Sequence, residues 1–140
     1  MQSNTDIEGG CFCGAVRYRA VSAPIGSMVC HCQTCRQVSG APAVPWVTFM
    51  KSHFAFVTGQ PETLHSSQNV VRTFCSNCGT PLSYTSTAFP DEVDITTCTL
   101  DEPNAYPPTH HSWTSHRLSW TRIDDGLPRY IRSKQDGEEE

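Results

Sequence analysis

An all-β fold of two packed antiparallel sheets, with only short helical turns, is what the residues of this chain predict. Short runs that alternate apolar and polar side chains recur along it. Ten prolines and nine glycines punctuate its 140 residues, a composition suited to strands and turns. No window of ten or more residues carries a clean 3.6-residue apolar period.

The first strand is read at Ala15-Val16-Arg17-Tyr18-Arg19-Ala20. Alternation there puts Val16, Tyr18 and Ala20 on one face and both arginines on the other. Further candidates follow at Met28 to His31, Val44 to Phe49, Phe54 to Thr58, Val70 to Phe74, Pro81 to Thr85 and Val93 to Leu100, mostly separated by Gly, Pro, Ser or Asn. Thr34 to Val38 is the best helical segment and has room for about a turn or two. The stretch Pro103 to Pro108 reads as a loop.

The length fits one domain with a single core, with residues 1–8 as an N-terminal extension, 9–132 as the folded unit and 133–140 as a disordered acidic tail. Asp136, Glu138, Glu139 and Glu140 match in size the whole net charge of −4, so the rest is close to neutral. The ten Lys and Arg residues are scattered and form no basic stripe able to displace counterions from phosphates, which argues against nucleic acid as a partner. Met1 to Gly10 lacks a charged leader followed by an apolar run, and no stretch is long enough to span a bilayer. The expectation is a soluble, cytoplasmic protein with no membrane contact.

In a reducing compartment eight cysteines point to metal rather than disulfides. Cys75-Ser76-Asn77-Cys78-Gly79 is a zinc knuckle, with two thiolates on a tight turn and a glycine that can bring backbone amides toward sulfur. Cys11-Phe12-Cys13 has the alternation of a strand end, which aims both thiolates the same way. Together Cys11, Cys13, Cys75 and Cys78 complete a tetrahedral, closed, structural site.

The second cluster, Cys30-His31-Cys32-Gln33-Thr34-Cys35, combines a C-x-C with a C-x-x-C and offers three thiolates within six residues. Three protein ligands with a fourth position open is the arrangement of catalytic zinc, so two Zn²⁺ per chain are expected. The alternative is that His31, Cys98 or a distant histidine closes this site as well. His31 in a strand would point away from the flanking sulfurs, and Cys98 reads as a buried free thiol. His110 and His111 stay unassigned.

Four segments read together resemble a known family: Gly9-Gly10-Cys11-Phe12-Cys13-Gly14-Ala15-Val16-Arg17-Tyr18; Cys30-His31-Cys32-Gln33-Thr34-Cys35-Arg36; Gly40-Ala41-Pro42 before Trp46; and Phe74-Cys75-Ser76-Asn77-Cys78-Gly79-Thr80-Pro81-Leu82. The closing segment, with His110-His111-Ser112-Trp113, Trp120 and Asp124 to Tyr130, extends the likeness from about Gly9 to Tyr130. The chain resembles the glutathione-dependent formaldehyde-activating (GFA) family, shared with centromere protein V. The resemblance implies a β-tent fold, a structural zinc on Cys11, Cys13, Cys75 and Cys78, and a catalytic zinc on Cys30, Cys32 and Cys35.

It also implies carbon-sulfur lyase chemistry, joining glutathione or a related thiol to formaldehyde or another aldehyde. The carboxylates of glutathione call for a guanidinium, and Arg36 is the nearest candidate by sequence. Trp46 and Trp113 are candidate walls of the same pocket, with a place in the core as the alternative. Two other functions remain open on sequence alone: a thiol carrier without turnover, and a non-catalytic zinc module that binds a protein partner.

Overall fold

The computed structural model describes residues 6–140 of the chain. Its strands are β1 (Ile7–Gly10), β2 (Arg17–Ala20), β3 (Gly26–Cys30), β4 (Val44–Met50), β5 (Phe54–Thr58), β6 (Glu62–Ser67), β7 (Val70–Phe74), β8 (Pro81–Ser86), β9 (Glu92–Thr96) and β10 (His111–Ser112), with one α-helix, α1 (Gln33–Ser39). The small sheet has the order β1-β2-β5 and the large one β10-β3-β4-β9-β8-β7-β6. Among the described residues the strand-to-strand pairings are antiparallel except that of β10 on β3, which is parallel. The expected all-β class and two-sheet arrangement are present, with that one exception to the antiparallel rule.

Period-2 alternation explains how β4 divides the interior. Val47 and Phe49 pack with Tyr18, Ala20, Val93 and Ile95 in the core, joined by Phe54 and Phe56. Val44 and Trp46 belong to a second cluster with Cys30 and Cys35, because successive side chains leave a strand on opposite faces. One seven-residue strand thus serves both the core and the site.

Gly9 lets the small sheet meet the turn after β9, where it bridges Leu100. A Cβ at this position would run into the Tyr18 hydroxyl and the Thr99 carbonyl, so only glycine fits without displacement. Arg17 seals the same junction by a two-pronged bond to Asp101, at 3.0 Å for the first contact.

Three local expectations are corrected. The Cys11-Phe12-Cys13 segment is not a strand end but the turn joining β1 to β2, closed by Gly14 N–H to Cys11 C=O at 3.2 Å with Gly14 at φ 82°. Cys98 is exposed, because β9 stops at Thr96 and a 3₁₀ turn over Thr97–Thr99 redirects the chain. Residues 133–140, read as a disordered tail, fold back: Ser133 caps a 3₁₀ turn at Lys134–Asp136, Tyr130 bridges Glu139, and Glu140 pairs with Arg117 and Arg129. Arginines facing this run neutralise the acids that composition alone treats as a solvated block. Residues 1–5 of the expected extension lie outside the described residues, while Ile7 and Glu8 already belong to β1.

Candidate metal centres and the cavity beside them

The turn between β1 and β2 meets the turn between β7 and β8, and four sulfurs converge. Cys11 Sγ lies 3.6 Å from Cys13 Sγ, which lies 3.8 Å from Cys75 Sγ, and all four, including Cys78, are within 4.8 Å of one another. Zn–S bonds of about 2.3 Å at tetrahedral angles set sulfurs roughly 3.8 Å apart, so the spacing fits a zinc ion. Donors surround the group: Val16 N–H reaches Cys11 Sγ at 3.3 Å, the Asn77 amide reaches Cys13 Sγ at 3.2 Å, and Cys78 N–H reaches Cys75 Sγ at 3.5 Å. Such bonds disperse thiolate charge and orient the ligands. Gly79, at φ 81°, closes the knuckle by donating to Cys75 C=O at 2.8 Å.

The second group is Cys30, Cys32 and Cys35, also mutually within 4.8 Å. Cys30 ends β3, Cys32 caps α1 by accepting from Cys35 N–H at 3.2 Å, and Cys35 is the buried residue of that helix. The chain folds this way because Cys32 keeps an extended backbone (ψ 150°) and its sulfur serves an otherwise orphaned helix N–H. Thiol donors from Cys30 and Cys35 hold Cys32 well below the usual thiol range, while the bond to Cys32 drives Cys30 well above it. Among the described residues no histidine or carboxylate joins these three within the same limit. His31 is directed away, to His111.

Beside the trio opens a cavity of about 980 Å³. It follows the face of the large sheet opposite the core, and strand register lines up Thr48, Asp94, Tyr84 and Arg72 across β4, β9, β8 and β7. Arg72 lies at the sulfur end: its Nη atoms are 3.6 and 3.7 Å from Cys35 Sγ, its Nε donates to Ser66 Oγ at 3.0 Å, and its guanidinium sits 5.0 Å from the Tyr84 ring centre. Trp46, Trp113 and Met28 supply apolar wall, and Lys134 and His116 add basic groups. Trp113 holds φ 56°, the left-handed region that a bulky residue adopts only when its surroundings impose it.

The sequence-derived residues divide accordingly. Trp46 and Trp113 line the cavity and also pack with the second cysteine cluster. Arg36 is not among the lining residues; it follows Cys35 on a helix, and the turn of α1 carries it away. The arginine at the site is Arg72, which sequence reasoning passed over. Its signal was present: alternation in Val70 to Phe74 sets Arg72 on the face of Val70 and Phe74, an odd place for a charge without a buried partner.

Asp94 is the more deeply buried of the cavity's two carboxyls, the other being Glu92. Burial raises it to about 6, against the lowering effect of its bond from Thr48, with Glu92 adding repulsion. A carboxyl whose folded pKa exceeds its unfolded one binds more protons when folded, so stability falls as pH rises between about 4 and 6. We expect Asp94→Asn to remove this slope and to raise stability at pH 7 by at most about 3 kcal/mol. Urea midpoints of both proteins from pH 4 to 7 check it, and parallel curves would refute it.

The model of the glutathione-dependent formaldehyde-activating enzyme family, GFA, matches residues 6–116. The chain belongs to this family. A Halomonas elongata protein that carries the GFA name is 28% identical over 129 residues, covering 84% of this chain and 81% of that one. An uncharacterized lyase of Schizosaccharomyces pombe is 32% identical over 91 residues, 59% of each chain. A solved structure of a Rhodobacter sphaeroides protein superposes with a TM-score of 0.57 at 21% identity, covering 67% of this chain and 87% of that one, a likeness of fold. GFA membership and a lyase-named relative support lyase-type chemistry related to glutathione and formaldehyde. Both cysteine clusters are able to hold metal ions. No helix among the described residues is long and apolar enough to cross a membrane.

Proposed function

We propose that this protein is a zinc-dependent carbon-sulfur lyase that forms or cleaves the adduct of a thiol, such as glutathione, with formaldehyde or another aldehyde. The observation that carries this reading is the trio Cys30, Cys32 and Cys35 opening onto a cavity of about 980 Å³, within the usual range for small-molecule sites. The four-cysteine group would hold a second, structural zinc. No disulfide joins the eight cysteines among the described residues, in keeping with a reducing compartment such as the cytoplasm.

Zinc bound by the trio would stabilise a substrate thiol as thiolate. In the synthetic direction the thiolate sulfur adds to the carbonyl carbon, the C=O π pair moves to oxygen, and the proton lost by the thiol ends on that oxygen. The chain's own residues supply position and charge. Cys30, Cys32 and Cys35 fix the approach, Arg72 offsets the negative charge that gathers on the sulfurs, and Trp46 and Trp113 shield the adduct from water. Holding both reactants in one cavity provides much of the rate enhancement.

Elemental analysis is expected to find two zinc ions per wild-type chain and one in Cys32→Ser with the fold retained. Glutathione should then shift the thiolate-to-cobalt absorption of cobalt-loaded wild type but not of the variant. Adduct formation faster than the uncatalysed reaction should accompany that shift. An unchanged spectrum would overturn open-site catalysis, whereas saturable binding without acceleration would select a thiol carrier.

A further inference from the structure

Three residues outside the cysteine trio form a chain of hydrogen bonds that the lyase reading leaves unused. Asp125 Oδ2 lies 2.7 Å from His111 Nε2, and His111 Nδ1 lies 2.9 Å from His31 Nε2. Both imidazoles are buried, His31 at 2% exposure and His111 at 5%. The carboxylate, held low by its bond to His111, is acceptor only, so His111 Nε2 carries a hydrogen toward it. A single hydrogen then occupies the contact between the rings.

The placement of this chain gives it consequence. His31 lies between Cys30 and Cys32, at the point where β3 gives way to the cap of α1. Backbone bonds already join this segment to β10: His31 N–H donates to Ser112 C=O and Val29 N–H to His110 C=O, each at 3.0 Å. Beyond β10 lie the cavity residues Trp113 and His116, and His116 Nδ1 accepts from Gln33 N–H at 3.1 Å. The imidazole of His31 is thus a buried side-chain tie between the cysteine loop and the wall that faces it, beside the more exposed one made by His116.

We propose that Asp125, His111 and His31 are positioning residues for the second metal centre. They fix the torsion of the Cys30–Cys32 segment so that both sulfurs converge with Cys35, and they hold the Trp113 wall at a constant distance from it. This rests on the reading that the trio binds an ion. Groups hydrogen-bonded directly to metal ligands typically contribute ten- to a hundred-fold in affinity, and a tie acting through the backbone between two ligands should fall at the lower end of that range.

The test uses the four-cysteine site of the same molecule as internal control. Wild type, Asp125→Ala and Asp125→Asn are loaded with zinc and titrated with a chromophoric chelator, and their cobalt-loaded spectra are recorded; His111→Phe serves as a second break in the chain. Asp125 is 44% exposed, so its alanine variant should fold. Asp125→Ala and His111→Phe are expected to weaken the second ion by roughly ten-fold or more, to alter its cobalt bands and to leave the first ion unchanged. Asp125→Asn, whose amide oxygen accepts the same hydrogen, should recover much of the loss. Unchanged affinity and spectrum in Asp125→Ala, or equal weakening of both ions, would overturn the proposal. Wild type holding one ion, on the four-cysteine group alone, would overturn the metal reading itself and the proposal with it.

Discussion

Cys75→Ser is expected to yield a chain without a cooperative thermal transition. Cys75 is 1% exposed, and its sulfur helps join the turn after β1 to the turn after β7, with 62 residues separating Cys13 from Cys75. A structural zinc in a small domain supplies about 10–16 kcal/mol, whereas domains of this size have a net stability of about 5–15 kcal/mol. Losing one of four ligands leaves three crowded thiolates with a weakened claim on the ion, so the deficit is comparable with the whole stability. Circular dichroism melts of Cys75→Ser, and of wild type stripped by a strong chelator, should agree. A cooperative melt within a few degrees of wild type would show that the four-cysteine group is dispensable for folding.

Arg72→Ala should be the most damaging change among the cavity residues that are not cysteine. Three thiolates and one divalent ion leave a net charge of −1, and a bound substrate thiolate would make it −2. Arg72 is 6% exposed, and its guanidinium, already against Cys35 Sγ, is placed to offset that charge. Removing one partner of a buried charge pair costs about 3–5 kcal/mol, and truncation also empties the space over Tyr84. Urea unfolding of the zinc-loaded protein should register that loss, and glutathione should bind the cobalt-loaded variant more weakly. Arg72→Lys should recover stability better than thiol affinity, because an ammonium restores the charge without the two-pronged fork that spans Cys35. Equal stability of Arg72→Ala and wild type would show that the sulfurs carry no charge needing compensation.

Much of this site was legible in the residues because cysteine spacing is a local signal. C-x-C and C-x-x-C fix which sulfurs can share an ion, and both groups assemble as expected from Cys11, Cys13, Cys75 and Cys78 and from Cys30, Cys32 and Cys35. The strands at Phe54–Thr58 and Val70–Phe74 were equally plain, since their runs end in Gly, Asn or Cys turns. By contrast β6 (Glu62–Ser67) is almost wholly exposed and carries no alternation to read. β10 is two residues long and exists because β3 lies beside it. Arg36 was named, and Arg72 passed over, on nearness in sequence, which is a poor guide once a helix turn intervenes. Cys98 was misread because the alternation of β9 was carried past its end. The acidic tail was judged by charge, without the arginines brought to it by tertiary contacts.

The strand β4 constrains how this scaffold can change its preferences over evolutionary time. Val47 and Phe49 on one side and Trp46 on the other share one backbone, so a substitution that reshapes the binding surface from β4 also disturbs the hydrophobic interior. Lineages adapting to a new ligand would therefore find few tolerated changes on this strand. The accessible variation lies at the periphery, where the exposed Lys134 and Gln135 border the cavity. Relatives should accordingly diverge in reactant choice through the margins of the cavity while their central strand drifts slowly.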